Sequence, residues 1–176
     1  MRQVKTERLT IRPIQVTDYE ELQSILFDPE VVRYTRYRDI TNTEKFAEIF
    51  EQHFLNNIYT FGIETKIDHK LIGFYEFHPE ENVGILTYAL AQDAWGKGYV
   101  AEVGIAMMNY GFEELNFDKI EAHYASLNPR SGKVMHKMGM KDLGQIDTFT
   151  VPESGEEHQV MAYELTKDDW KLNQAV

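Results

Sequence analysis

The chain has 176 residues, 43% of them hydrophobic and 27% charged, and 18 Lys plus Arg against 29 Asp plus Glu give a formal net charge of −11. This describes one soluble globular domain over 1–176, disfavours nucleic acid, which takes a basic footprint, and suits a cationic partner. There is no cysteine for a disulfide or thiolate nucleophile, no apolar run nears the roughly 20 residues that span a bilayer, and "MRQVKTERLTIRPI" has no apolar signal core, so a cytoplasmic location away from membranes is expected.

Residues 8–14, "RLTIRPI", alternate with period two and read as a first strand. Thr17 or Asp18 can cap a short helix carrying Tyr19, Leu22, Ile25 and Leu26 on one side, and Pro29 interrupts. A second helix is predicted over 43–56, where Phe46, Ile49, Phe50, His53 and Phe54 recur at three- and four-residue spacing. Between the two lies "VVRYTRYRDI", rich in Tyr and Arg. Strand-like runs follow at 58–65, 70–77 and 83–90, joined by "IDH" and "HPEEN", with the spacing of an antiparallel meander.

Residues 99–113 form the strongest predicted helix, with Val100, Ala101, Gly104, Ile105, Met108 and Phe112 as a broad apolar face. "KIEAHYASL" (119–127) predicts another strand, and residues 129–139 a short helix between Pro129 and Gly139. Strands at 142–150 and 158–165, around the polar "VPESGEE", close the order. The predicted fold class is α/β, in the mixed α+β sense: a mixed sheet with helices on both faces.

The segment "QDAWGKGYVAEVG" (92–104) carries the chemistry. Gly96 and Gly98 bracket Lys97 immediately before the long helix. Such a turn aims free backbone N–H groups at one place and holds a phosphate or diphosphate. A P-loop would end Gly-Lys-Ser/Thr, and "GKGY" does not. "GKGYVA" fits the loose glycine-x-glycine-x-x-alanine dinucleotide fingerprint. However, Gln92 to Trp95 separate it from the preceding strand, and the next strand ends "ASLN" with no acid for a ribose. A coenzyme A diphosphate cradle and a plain tight turn before a helix are the other readings. His123, mid-strand in "EAHYA", is a candidate proton relay, while His78, His136 and His158 are scattered without metal-ligand spacing, so no metal is expected.

"TYALAQDAWGKGYVAEVGIAMMNYGFEEL" resembles motif A of the GNAT superfamily of acyl-CoA-dependent N-acetyltransferases, in the branch that acetylates ribosomal-protein N-termini. "NPRSGKVMHKMGMK" (128–141) resembles the second conserved segment of that branch, and "ERLTIRPIQVTDYEEL" and "LIGFYEF" fit it as well. Trp95, Val100 and Met140 depart from the commonest family residues, and Ile85 stands where several members carry a catalytic glutamate.

The resemblance implies a GNAT-like, mostly antiparallel sheet whose two central strands splay around the pantetheine arm of acetyl-CoA, the acyl donor. It implies donor contacts at Ala89 and Leu90, at Trp95, Gly96, Lys97, Gly98, Tyr99, Val100 and Ala101, and at Asn128 and Ser131. Asn128 alone would also be explained as a helix cap. Ser131 would protonate the departing sulfur, Tyr88 would line the acceptor pocket, and Glu76 would act as a base through water. Tyr34, Arg36 and Tyr37 would roof the acceptor site. The expected acceptor is a protein N-terminal amine, with polyamines and other small cationic amines as the alternative. A non-catalytic acyl-CoA-binding module is more remote. A homodimer is compatible with the family.

Overall fold

Residues 9–13 form a strand buried on both faces: Leu9 and Ile11 pack into apolar surroundings, and Arg12 is buried with its charge paired. The computed structural model describes residues 3–150 and 155–174. Among these, the strands are β1 (Val4–Lys5), β2 (Leu9–Pro13), β3 (Thr60–Thr65), β4 (Leu71–Glu80), β5 (Val83–Leu90), β6 (Lys119–Ala125), β7 (Lys141–Thr150) and β8 (Glu157–Thr166). The helices are α1 (Tyr19–Leu26), α2 (Pro29–Val32), α3 (Thr43–Ile49), α4 (Tyr99–Glu113), α5 (Pro129–Lys137) and α6 (Lys167–Gln174). The chain divides into two compact units interleaved in sequence, Met1–Phe77 with Thr87–Met107 and His78–Leu86 with Met108–Val176.

In the first unit the strand order is β1-β2-β3-β4-β5, and the pairings from β1 to β4 are antiparallel, as in Leu9↔Thr65 and Thr60↔Glu76. Helices α1 and α3, with the turn Phe50–Phe54 that follows α3, bury Leu22, Leu26, Phe46, Phe50 and Phe54 against Leu71, Phe74 and Ala89 of the sheet. The Arg12 guanidinium meets both oxygens of Asp18 at 2.7 and 2.8 Å and one of Glu64 at 2.6 Å. Asp18 Oδ2 also accepts the Gln15 N–H at 2.7 Å, so this buried pair fixes the entry into α1.

In the second unit the order is β5-β6-β8-β7. β5 runs parallel to β6 from Val83↔Lys119 to Leu86↔Ala122. β6 continues to Ala125 with its β8 pairing intact, through Ala125↔Val160. β7 and β8 are antiparallel, and Phe112 of α4 packs on Trp170 of α6 with ring centroids 5.2 Å apart. The mixed, mostly antiparallel strand pattern expected from the sequence is therefore present.

Several local expectations shift. Pro29 does not merely interrupt; it sits at the start of α2, where its missing N–H is harmless and the Asp28 side chain accepts the Glu30 N–H. The helix at 43–56 widens into a π turn at Phe50–Phe54, with Leu55 N–H bonded to the Phe50 carbonyl. That widening keeps Phe46, Phe50 and Phe54 all in the core. The buried stripe of α4 runs through Val103, Gly104, Met107, Met108, Gly111 and Phe112, while Ile105 is 50% exposed, because the true face lies one residue off the predicted one. "HPEEN" is mostly strand: β4 runs to Glu80, and Glu81, at φ 53°, begins a two-residue turn. β1 and α6 carried too little apolar periodicity to be read from sequence. Part of "VPESGEE" lies outside the described residues.

Candidate active site

The strand β5 ends at Leu90, a short 3-10 turn spans Gln92–Ala94, and α4 begins at Tyr99. The link between them is closed by the Trp95 indole, whose Nε1–H donates to the Leu90 carbonyl at 2.7 Å. Gly96 and Gly98 have φ of 75° and 79°, the left-handed region that side-chain-bearing residues resist. A Cβ on Gly96 would meet nothing within 4 Å, so its surface faces open space. Helix geometry leaves the N–H groups of Tyr99, Val100 and Ala101 without an intrahelical acceptor. The ladder begins with the Glu102 N–H on the Gly98 carbonyl at 3.2 Å. Positive-φ glycines and unsatisfied first-turn amides form the concave donor set that fits a diphosphate.

This turn is braced from the start of β2. Arg8 donates through Nη1 to the Lys97 carbonyl at 2.9 Å and through Nε to Glu102 at 2.7 Å, and its guanidinium lies 4.5 Å from the Tyr99 ring centroid. The Arg8 N–H and the Thr6 hydroxyl both donate to the other Glu102 oxygen. Burial pushes the Glu102 carboxyl up, but the bonds from Thr6 and Arg8 outweigh it and hold the group below its ordinary value.

Ala89 and Leu90 are buried at the end of β5, and β4 comes close to them only because residue 73 is glycine. A Cβ there would lie 2.3 Å from the Ala89 carbonyl oxygen. The Tyr88 ring stacks on Tyr75 with centroids 6.3 Å apart. Strand alternation directs Tyr75 to the face opposite Phe74 and Glu76. Tyr88 and Glu76, grouped by the sequence reading, therefore serve different faces.

Glu76 is fully buried. Its oxygens lie 2.7 and 2.8 Å from the Tyr37 hydroxyl, and Oε2 is 2.9 Å from His53 Nε2. A carboxylate only accepts, so the Tyr37 O–H and the His53 Nε2–H both point at it. Burial, and then the Glu76 charge, push the Tyr37 phenol far above its ordinary value, so it stays a neutral donor. Tyr37 is thus a core residue, edge-on to Phe74 at 5.3 Å. Tyr34 and Arg36 of the same segment are exposed, with Arg33 over the Tyr34 ring.

In the second unit, Asn128 precedes α5 without a side-chain cap bond. Instead its Nδ2–H donates to Ser131 Oγ at 3.0 Å, leaving the Ser131 proton to point elsewhere. His123 pairs with Glu121 at 3.0 Å, and Lys119 binds the same carboxylate, which accounts for that histidine structurally. Among the described residues no group of three His, Asp or Glu side chains is placed to hold a metal ion.

Sequence reasoning missed Thr6, Arg8, Gly73, His53 and Glu102. Only the glycine had a legible signal, as an isolated glycine inside a strand pattern.

A family model described as Acetyltransferase (GNAT) domain matches residues 8–141. The Bacillus subtilis protein named probable N-acetyltransferase YjcK is 32% identical over 180 residues, covering 94% of this chain and 98% of its own. A GNAT-family acetyltransferase structure from Bacillus anthracis shares the fold with TM-score 0.84 at 24% identity, covering 95% of this chain and 99% of its own. A Vibrio cholerae spermidine N-acetyltransferase, solved with CoA and spermine, does so with TM-score 0.78 at 20% identity, covering 93% and 98%. With the family model extending over most of its length, the chain belongs to the GNAT family of acetyl-CoA-dependent N-acetyltransferases.

Proposed function

We propose that this acetyltransferase acts on the N-terminal amine of a peptide or protein, by direct attack on the donor thioester. The observation that carries the donor half is the Trp95–Ala101 turn, with φ of 75° and 79° at its two glycines and open space in front of Gly96. The amides of Lys97, Gly98 and Val100 take the diphosphate in this reading, and the end of β5 at Ala89 and Leu90 takes the acyl end. The amine nitrogen, once neutral, attacks the thioester carbon; the C–N bond forms and the C–S bond breaks. One proton passes from the nitrogen to bulk water, and one, ultimately replaced from water, is needed by the sulfur. Ser131 is assigned to supply the second, its oxygen held by the Asn128 amide. A chain without cysteine needs no covalent intermediate here, since the thioester is already activated.

The acceptor half rests on Glu76. That carboxylate is spent on Tyr37 and His53 inside the core, so it supports the pocket rather than reading a second ammonium. This favours an acceptor with one reactive amine, met by the exposed Tyr34 and Arg36. A second reading, a polyamine, is favoured by one feature: a cleft in the first unit carries Glu20, Glu21, Asp28 and Asp93. Release of free thiol from acetyl-CoA, measured separately with Ala- and Ser-initiated peptides, spermidine, amino acids and aminoglycosides, decides. Turnover on peptides is expected. Turnover on spermidine alone replaces the first reading with the second, and saturable CoA binding without turnover on any amine leaves an acyl-CoA-binding module.

A further inference from the structure

We propose that Arg8 is a positioning residue: locked by Glu102 and Thr6, it holds the Gly96–Gly98 backbone in the shape that receives the donor diphosphate. This rests on the reading of that turn given above. Two features of the turn demand an external hold. Both glycines sit at positive φ, where glycine has the greatest freedom to relax, and Gly98 has no side chain of its own to anchor it. A Cβ at Gly98 would find as its neighbour only Arg8 Nη2, at 3.7 Å.

Arg8 supplies the hold with a planar fork. One arm takes the Lys97 carbonyl at 2.9 Å, so that the acceptor between the two glycines is tied to β2. The rest engages Glu102 at 2.7 Å through both Nε and Nη2. The Arg8 main-chain N–H and the Thr6 hydroxyl complete the grip on Glu102. Glu102 is itself informative. A carboxylate in the first turn of α4 suits the helix dipole but opposes a diphosphate bound at the same end. Covering it with a guanidinium removes that opposition while fixing the turn to β2.

The rival account is that Arg8 only adds positive charge. The two accounts differ in sign for Glu102→Gln. Removing the carboxylate raises the local positive charge, so a pure charge effect tightens CoA binding, whereas loss of the brace weakens it. Arg8→Lys keeps the charge and loses the fork, so the charge account expects no change and the brace account expects weakening. The test is the CoA Kd of wild type, Arg8→Lys and Glu102→Gln by titration calorimetry. Rates are measured in parallel with acetyl-CoA and with acetyl-pantetheine, which lacks the diphosphate.

Both variants are expected to weaken CoA and raise the acetyl-CoA KM by about tenfold, the scale of a lost charge-assisted hydrogen bond. Their kcat and their acetyl-pantetheine kcat/KM are expected to stay within about twofold of wild type. Glu102→Gln binding CoA as tightly as wild type, or tighter, overturns the brace and leaves the donor reading standing. So does an equal fall with both thioesters, which marks general damage to the fold. Wild type without saturable CoA binding overturns the donor reading and the brace together.

Discussion

Replacing Gly98 by alanine tests whether the diphosphate turn must stay left-handed. At φ 79° an alanine pays roughly 1–2 kcal/mol relative to glycine, and space does not add to this, since the nearest atom to the new Cβ is 3.7 Å away. That strain has two outlets. If the turn keeps its shape in the free protein, unfolding stability falls by the full amount and CoA affinity is untouched. If the turn relaxes, stability is spared, and binding must restore the strained shape at a loss of about 5- to 30-fold in Kd. The two losses, added as free energies, should total roughly 1–2 kcal/mol whichever way they divide. Urea unfolding of the free protein and calorimetric titration with CoA measure the two parts. Gly98→Asn, which tolerates this conformation, should lose less in the sum. An alanine variant with both quantities unchanged refutes the claim that positive φ at residue 98 is required.

Gly73→Ala should destabilise far more than Gly98→Ala and block proper folding, because its Cβ would sit 2.3 Å from a backbone oxygen; the yield of soluble, cooperatively melting protein reports it. Asp18→Asn should cost about 3 kcal/mol in urea unfolding, the low end for a broken buried pair because Glu64 remains on Arg12. Tyr37→Phe should cost roughly 1–3 kcal/mol by removing a donor to a fully buried carboxylate, with little change in the acetyl-CoA KM. Burial raises the Glu64 carboxyl, but hydrogen bonds from His69 and Arg12 lower it further, so its folded pKa is depressed. Its stabilisation is present above the unfolded value of about 4.3 and disappears as pH falls through the folded value. The stability gap between wild type and Glu64→Gln should therefore close on acidification below about pH 4, as read by unfolding at stepped pH.

The start of α4 was legible because Gly96 and Gly98 directly precede it and an apolar stripe follows at helical spacing. The three strands of 58–90 were legible from alternation and turn residues. What stayed hidden depends on pairing across long separations. Nothing in "TERL" announces that Arg8 reaches Lys97 and Glu102, or that residue 73 must yield space to Ala89. The family resemblance groups Tyr37 with Tyr34 and Arg36 as a roof over the acceptor site. Its burial arises because the π turn at Phe50–Phe54 and Glu76 of β4 close around its hydroxyl, two events outside its own segment.

Strands β4 and β5 and helix α4 each pass from one compact unit into the other along an unbroken backbone. No single cut of the gene can yield both units entire. A fragment stopped at Phe77 forfeits the end of β5 and the glycine turn, and one begun at His78 carries those pieces away from the β2 strand that braces them. Split reporters and half-length expression trials of this chain should fail for that topological reason, and a circular permutation that opens an exposed turn such as Lys66–His69 keeps every shared element whole.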